Sequence, residues 1–265
     1  MRPHESLPNP ELSATDRLLL VSDLHLSDET PDLTQLALDW IQDQSSRLEL
    51  SALWVLGDLF DAWVGDDQLS LSPCAQQVAE GLHRLSGSGI QVALMQGNRD
   101  FLLGASFAEA CGASLLPEVW TGALPDGQRA VVCHGDGLCL DDRDYMQFRE
   151  QTRDAQWQHR FLAMPLDQRL QTARQIRAKS ESEKASKSME IMDIRASAAI
   201  QLLERHKSAL LIHGHTHRPG SSPLGPYHTR WVLTDWHWAP SLDARRGGGL
   251  LLTQAGPQSL GLSAR

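Results

Sequence analysis

Short apolar runs alternate with longer segments of helical periodicity in the first part of the chain. The runs 18–22, 52–56 and 90–95 are too short for ordinary helices and end next to glycine or polar positions, which predicts buried strands. Residues 33–47 and 73–85 place apolar side chains at helical spacing, and a proline starts the second segment. Strands that alternate with helices favour an α/β fold with a mostly parallel sheet covered on both faces.

The pattern changes after a further strand-like run at 129–133. Residues from about 139 to 207 have no strand signal and a helical composition, whereas strand-like runs resume at 209–212, 231–234 and 249–253. The long middle segment is therefore predicted to be a helical insertion in the α/β domain.

Length and composition set the expected domain boundaries. A chain of 265 residues that is 41% hydrophobic can form one large domain with an insertion, or two small domains. The polar, proline-rich start lacks the features of a secretory signal, so residues 1–16 are predicted as a flexible extension. The folded domain is expected over 17–255, followed by a C-terminal tail at 256–265. No apolar run approaches the ~20 residues of a membrane span.

Charge is distributed unevenly along the chain. The net charge of −9 argues against a general nucleic-acid binder, which would carry a basic surface. Residues 143–207, however, contain 13 Lys and Arg against 9 Asp and Glu. This basic segment is either a set of solvated helix faces or a cap that meets an anionic substrate.

Five short motifs contain potential metal ligands, and each follows a predicted strand. They are Ser22-Asp23-Leu24-His25, Gly57-Asp58, Gly97-Asn98-Arg99-Asp100, His134-Gly135-Asp136 and Gly214-His215-Thr216-His217. Asp23 and His25 are two residues apart, so in an extended segment both side chains point to one side. The pair of histidines in the last motif has the same spacing. Open α/β sheets bind ligands at the carboxyl ends of their strands, so these groups are expected to converge there.

The residue types indicate which metals would bind. The candidate ligands are Asp23, His25, Asp58, Asn98, His134, His215 and His217. Oxygen and imidazole ligands suit Mn²⁺, Fe²⁺ or Zn²⁺, and seven groups are too many for one catalytic ion with an open position. The pattern therefore predicts two ions, with Asp58 as the natural bridge, and two adjacent ions are typical of phosphoryl chemistry. Each motif taken singly could be turn chemistry or coincidence.

The cysteines do not contribute to this site. The four are Cys74, Cys111, Cys133 and Cys139, and none forms a CxxC pair. Their spacing argues against a zinc ribbon and favours reduced thiols in a cytosolic compartment.

The order of the five motifs resembles that of the calcineurin-like metallophosphoesterases over most of the chain. The resemblance implies a four-layer α/β sandwich with an inserted helical lid and two metal ions, expected as Mn²⁺ with Fe²⁺ or Zn²⁺ as alternatives. It further implies that one ion is held by Asp23, His25, Asp58 and His217, and the other by Asp58, Asn98, His134 and His215.

Longer strings resemble the family of UDP-2,3-diacylglucosamine hydrolases. They are the stretches 57–67, 97–104 and 213–219, together with His134-Gly135-Asp136, Asp141-Asp142, Lys187-Ser188 and Ile191-Met192-Asp193. The resemblance implies that water attacks the α-phosphorus of UDP-2,3-diacylglucosamine and releases UMP and 2,3-diacylglucosamine 1-phosphate (lipid X). It places this step in lipid A biosynthesis, with the enzyme peripheral on the cytoplasmic face of the inner membrane of Gram-negative bacteria.

The same resemblance implies the residues that would act on the substrate. Asp58, Asn98, Arg99 and His215 would be catalytic, and the substrate contacts would be Asn98, Arg99, Asp142, Ser180, Lys187 and His215. Lys184 is a departure, because the family commonly has asparagine there. Arg99 follows a ligand and is expected to bind phosphate, although a surface ion pair is the alternative. His213 would either orient a ligand or pack, and Asp235-Trp236-His237 resembles a family signature with only a supporting role.

The insertion also contains an apolar set. It consists of Trp157, Phe161, Leu162, Met164, Leu166 and Leu170. These side chains are either an ordinary helix-pair core or a lid that holds acyl chains and touches the membrane surface. Another phosphodiesterase or nucleotide pyrophosphatase with a soluble substrate is the alternative function. A non-catalytic scaffold is disfavoured, because none of the seven ligands is missing.

Overall fold

The computed structural model describes residues 10–184, 193–239 and 244–262. The strands are β1 (Leu18–Val21), β2 (Ala52–Leu56), β3 (Gln91–Met95), β4 (Ser114–Leu115), β5 (Val119–Ala123), β6 (Arg129–Cys133), β7 (Leu210–His213), β8 (Gly220–Leu224), β9 (His228–Val232), β10 (His237–Ala239), β11 (Ala244–Arg246), β12 (Gly248–Thr253) and β13 (Gly256–Gly261). The helices are α1 (Pro31–Arg47), α2 (Pro73–Gly87), α3 (Ala105–Ala110), α4 (Arg143–Arg153), α5 (Ala155–Leu162), α6 (Leu166–Lys184) and α7 (Ala196–Arg205), with 3₁₀ turns at Asp66–Ser70 and Asp136–Leu138.

The strands form two larger sheets and a two-stranded ribbon of β10 and β11. The first sheet has the order β13-β12-β1-β2-β3-β4, in which β1 to β4 are parallel and the remaining pairs antiparallel. The second has the order β5-β6-β7-β9-β8, with parallel pairing in the centre and antiparallel edges. The parallel centre was predicted, but the edges make both sheets more mixed than expected.

Alternation along β1 shows how the layers are built. Leu18 and Leu20 pack between the two sheets, in a core that includes Val132 of the second sheet. Leu19 and Val21 point the opposite way and pack with α1, α2 and α3. A third core joins the outer face of the second sheet to α7. The result is the helix–sheet–sheet–helix sandwich that the resemblance implied.

The helical insertion divides into two parts. All regular structure in the described part of 139–207 is helical, as predicted. Helix α7 belongs to the sandwich, because Ala199 and Leu203 pack on the second sheet. Helices α4, α5 and α6 form the lid, and α5 and α6 dock on the core of the first sheet.

Most of the apolar set in the insertion is core. Phe161 is buried, whereas Leu162 is 43% exposed. The half-buried members, all packed against the core, are Trp157, Met164, Leu166 and Leu170. Leu162 is therefore the most exposed member of the set and the first candidate for the acyl-chain role.

The predicted ends of the domain need correction. Residues 1–9 of the expected extension lie outside the described residues, but the carbonyl of Pro10 accepts a hydrogen bond from Trp120 Nε1 at 3.3 Å, and Leu12 packs on the inter-sheet core. At the other end, Gly256–Gly261 is not a tail but the edge strand β13, paired with β12. An edge strand needs backbone pairing more than apolar alternation, so its sequence gave no strand signal. No helix in the described ranges is long and apolar enough to cross a membrane.

Candidate metal centre

The seven candidate ligands lie at the carboxyl ends of five strands. Asp23 and His25 follow β1, Asp58 follows β2, and Asn98 follows β3. His134 follows β6 in the second sheet, and His215 and His217 follow β7. Because the two sheets pack face to face, these strand ends meet, and short side-chain contacts link all seven residues.

The backbone is strained at most of these positions. Five ligands have φ between 51° and 63°: Asp23, His25, Asp58, His215 and His217. Residues other than glycine rarely adopt this left-handed backbone conformation. It persists only where the surrounding structure imposes it. Apart from these five, the only described residues with a positive φ that are not glycine are Glu49 and Lys207. The left-handed conformation therefore coincides with five of the seven ligands that the motifs selected.

Asp23 lies at the centre of the site and is fully buried. Its carboxylate accepts hydrogen bonds from Ser22 Oγ at 2.7 Å and from the backbone N–H of His215 at 2.9 Å. A side chain at Gly214 would collide with Ser22 and Asp23, which explains the glycine. Burial raises the pKa of Asp23, but a hydrogen bond from His217 and the charges of nearby histidines outweigh it and lower the pKa. The group is therefore a carboxylate near neutral pH.

Asp58 is the second buried carboxylate. The backbone N–H of Arg99 donates to its Oδ1 at 2.8 Å. Burial, together with the neighbouring charges of Asp100 and Asp23, raises the pKa of Asp58 to about 7 against the opposing effect of His134. Negative charge is therefore crowded in this site, and cations would relieve the repulsion.

The imidazoles present lone pairs toward the same space. Nε2 of His25 lies 3.3 Å from Nε2 of His217, and burial lowers the pKa of His25 well below its usual range. Nδ1 of His134 lies 2.8 Å from the carbonyl oxygen of Leu56. In neutral His134 this bond leaves a lone pair on Nε2, which faces Oδ1 of Asn98 at 3.0 Å. Imidazole nitrogens and an amide oxygen gathered at such distances are the donor types that divalent transition metals use.

These atoms fall into two groups that fit a pair of metal ions. Asp23, His25 and His217 form one group, and Asp23, Asp58 and His134 form the other, each with ligand atoms within 4.8 Å of one another. Asp23 is common to both. Asp58 also lies between them, since its Oδ2 is 3.8 Å from His25 and its Oδ1 is 3.6 Å from His134. The donor set is that of divalent transition metals.

Two buried aspartates that the sequence did not single out hold the site together. Asp100 accepts hydrogen bonds from the backbone N–H groups of Leu59 and Gly97, both at 2.7 Å, and so fixes the turns after β2 and β3. Asp136 accepts from Tyr145 Oη at 2.6 Å and Arg149 Nε at 2.8 Å, which anchors α4 beside the ligands. Both stand at the end of a ligand motif, in Gly97-Asn98-Arg99-Asp100 and His134-Gly135-Asp136, and that position was the available signal.

The structure describes the contacts of two residues that are expected to bind the substrate, Arg99 and Asp142. Arg99 and Nη1 of Arg177 in α6 both contact the carboxylate of Asp61, and Nε of Arg99 also lies 3.7 Å from Oδ2 of Asp58. Asp142 caps α4 by accepting the backbone N–H of Tyr145 at 3.2 Å.

The other expected contacts are only partly described. Ser180 and Lys184 lie in α6, but their side chains are outside the described part, and Lys187 is outside it altogether. His213 is buried beneath Gly135, with its Nδ1 at 2.9 Å from the carbonyl oxygen of Gly214.

Comparison with known proteins adds a family context. Residues 16–219 match the calcineurin-like phosphoesterase family. The chain is 44% identical over 224 residues to the UDP-2,3-diacylglucosamine hydrolase of Cellvibrio japonicus, which covers 83% of this chain and 90% of that protein. It is also 44% identical over 245 residues to that of Chromobacterium violaceum, covering 91% and 97%. A crystal structure of a dimetal phosphatase from Danio rerio has a similar fold, with a TM-score of 0.50 at 13% identity and coverage of 94% and 99%.

Proposed function

The chain belongs to the UDP-2,3-diacylglucosamine hydrolases within the calcineurin-like phosphoesterases, and we propose on this premise that it cleaves the diphosphate of UDP-2,3-diacylglucosamine in lipid A biosynthesis. Water attacks the α-phosphorus, and the products are UMP and 2,3-diacylglucosamine 1-phosphate. The observation that carries the proposal is the convergence of seven metal-ligand side chains beside the guanidinium group of Arg99, which shares the carboxylate of Asp61 with Arg177.

The residues present suit two divalent ions, which we take to be Mn²⁺, with Fe²⁺ and Zn²⁺ as alternatives. Such ions supply positive charge to the phosphoryl oxygens and lower the pKa of a bound water. Asp23 and Asp58 provide the carboxylates that hold them, and the imidazoles and Asn98 complete the two sets. The hydrogen bonds from Ser22 and from backbone N–H groups hold these carboxylates in a fixed orientation. The carboxylates therefore need no reorganisation during the reaction.

The cationic side chains orient the diphosphate. Arg99 lies with its Nε 3.7 Å from Asp58 Oδ2, so a phosphate held by its guanidinium is adjacent to the ligand cluster. Further substrate contacts, assigned from the family resemblance, are Asn98, Asp142, Ser180, Lys184, Lys187 and His215. Oδ1 of Asn98 lies 2.7 Å from Nδ1 of His215, so the two side chains are in direct contact.

The lid provides the acyl-chain contact. Leu162 is exposed on α5, in a segment that is basic overall. An exposed leucine among cationic side chains suits a lipid substrate at an anionic surface. We therefore place the enzyme at the cytoplasmic face of the inner membrane as a peripheral protein.

The test is an assay of Mn²⁺-loaded protein for UMP release from UDP-2,3-diacylglucosamine in ¹⁸O-labelled water. Attack on the α-phosphorus places the label in UMP, whereas label in the sugar phosphate would contradict the assigned position of attack. A soluble nucleotide sugar such as UDP-N-acetylglucosamine serves as the control substrate. Equal kcat/KM on both substrates would favour the soluble-substrate alternative and remove the lipid role.

A further inference from the structure

The loop that follows β9 contacts two of the candidate ligands from outside the cluster. Asp235 is 3% exposed, and its Oδ2 lies 3.3 Å from Nδ1 of His217. The next residue, Trp236, donates its backbone N–H to the carbonyl oxygen of Asp23 at 2.9 Å. Both residues lie beyond residue 219, where the family match ends.

The position of Asp235 is itself fixed by neighbouring elements. Arg246 of β11 donates a hydrogen bond to Asp235 Oδ2. Trp236 packs edge-on against Trp40 of α1, with ring centroids 5.3 Å apart. The ribbon and the first helix therefore hold this loop against the ligands.

We propose that Asp235 is a positioning residue of the metal centre, which holds the imidazole of His217 with its Nε2 toward Asp23. Without an ion, the Nε2 of His217 shares a proton with Asp23. When an ion takes the place of that proton, a carboxylate that accepts the Nδ1–H of the neutral ring keeps the Nε2 lone pair directed at the ion and stops the ring from turning. Nε2 of His217 is 3.4 Å from Asp23 Oδ1 and 3.3 Å from His25 Nε2, within one of the two ligand groups. This inference rests on the metal-dependent function proposed above.

A purely structural role for the same contacts makes a different prediction. If Asp235 served only as an ion-pair partner of Arg246, its loss would lower the stability of the metal-free protein and leave metal affinity unchanged. A positioning role instead lowers affinity at one of two sites, because outer carboxylates typically contribute about 10–100-fold to metal affinity. Metal binding therefore separates the two roles.

The experiment is a Mn²⁺ titration of the metal-free full chain, in which free Mn²⁺ is counted from its EPR signal. We expect wild type to bind two ions, and Asp235→Ala to lose about 10–100-fold in affinity at one of them. Asp235→Asn should lose less, because its amide oxygen still accepts from Nδ1–H. Arg246→Gln, at a side chain that is 56% exposed, should also weaken this one site without threatening the fold.

Arg47→Gln is the matched control for Arg246→Gln, since it removes another exposed ion pair, with Asp43 on α1. Wild-type affinity at both sites in Asp235→Ala would overturn the inference and leave the proposed function intact. Should Asp235→Ala fail to fold, unchanged affinity in Arg246→Gln would overturn it equally. If wild type binds no Mn²⁺, Fe²⁺ or Zn²⁺, the proposed function fails first and the inference falls with it.

Discussion

At the scale of single residues, the centre depends on backbone turns as much as on donor atoms. The left-handed conformation of Asp23 and Asp58 aims both carboxylates at the same space, and Asp100 fixes the turn of the second through backbone hydrogen bonds. Gly97 has no side chain because a Cβ there would collide with Asp58. The ligands are therefore preorganised, which lowers the reorganisation needed when metal and substrate bind.

Asp58→Ala should lower kcat/KM by roughly 10³-fold or more, because a metal ligand between the two groups is lost. The measurement is UMP release at saturating Mn²⁺, with circular dichroism to show that the fold persists. Asp39→Ala, at an exposed position on α1, is the control and should retain full activity. Near-normal turnover by Asp58→Ala would exclude this residue from the centre.

Sequence reasoning found the ligands because each follows a readable strand at a motif of fixed spacing. It did not assign a positioning role to Asp100 or Asp235, although both stand in motifs that the sequence contains. Asp100 binds the backbone N–H of Gly97 in its own turn and that of Leu59 in the turn after β2, and Asp235 lies next to the imidazole of His217. The contacts with Leu59 and His217 cannot be read from the spacing of the motifs. Such partners are defined by the folded arrangement and not by the order of residues.

At the scale of elements, the lid is attached by a buried arginine. Arg169 of α6 is 3% exposed and donates to the carbonyl oxygens of Val64 at 2.6 Å and Met164 at 3.0 Å, in addition to its ion pair with Asp67. These bonds join the lid to the loop after β2, which also carries Asp58. The lid and the centre therefore share one connecting segment.

Arg169→Met should detach this end of the lid, because two carbonyls and a carboxylate lose their donor. The Val64 carbonyl is buried, and leaving such a group unpaired costs about 1–3 kcal/mol, whereas the exposed Asp67 carboxylate is solvated by water. We therefore expect faster amide hydrogen exchange in α5 and α6 and a higher KM. Arg174→Met, exposed on the same helix, is the control. Unchanged amide hydrogen exchange in the lid would show that the apolar contacts of α5 and α6 hold it in place without Arg169.

Leu162→Ser tests the acyl-chain contact without disturbing the core. We expect roughly a tenfold loss of kcat/KM on the diacylated substrate, since burying one leucine contributes about 1.5–3 kcal/mol. A short-chain analogue should be hydrolysed as before. Leu71→Ser, at a position that is 68% exposed, controls for general loss of surface apolarity. An equal loss on both substrates would remove Leu162 from the acyl site.

The central strands could be predicted from sequence, and several edge strands could not. Buried strands such as β2 must be apolar on both faces, so Ala52–Leu56 was predicted to the residue. By contrast, β8 contains Pro223 and two serines and β13 begins Gly256-Pro257, because an edge strand is only partly covered. The helical insertion was evident from composition, but its division between lid and sandwich depends on tertiary packing.

At the scale of the whole molecule, the centre exists only where the two sheets dock. Asp23, His25, Asp58 and Asn98 come from the first sheet, and the remaining ligands from the second. Trp54 of β2 and Trp120 of β5 pack edge-on across the interface, with ring centroids 4.9 Å apart. The inter-sheet core therefore sets the spacing of the ligands.

Trp54→Ala should lower the free energy of unfolding by about 3–5 kcal/mol, as is usual for removing a buried aromatic side chain. It should also weaken Mn²⁺ binding, because the two sheets lose a side chain that packs between them and keeps them at a fixed distance. Denaturant titration and the Mn²⁺ titration measure the two effects. Tyr227→Ala, at an 82% exposed aromatic, is the control. Wild-type Mn²⁺ affinity in a destabilised Trp54→Ala variant would show that the ligand geometry does not depend on this inter-sheet packing.

The pairing of β1 with β12 has a consequence for synthesis of the protein. Leu18 pairs with Ala52 on one side and with Leu252 on the other. The growing polypeptide therefore leaves the ribosome with one edge of its first strand open, and that edge stays open until β12 has been translated. Open strand edges are prone to aggregation, so the nascent chain is exposed to it during this interval.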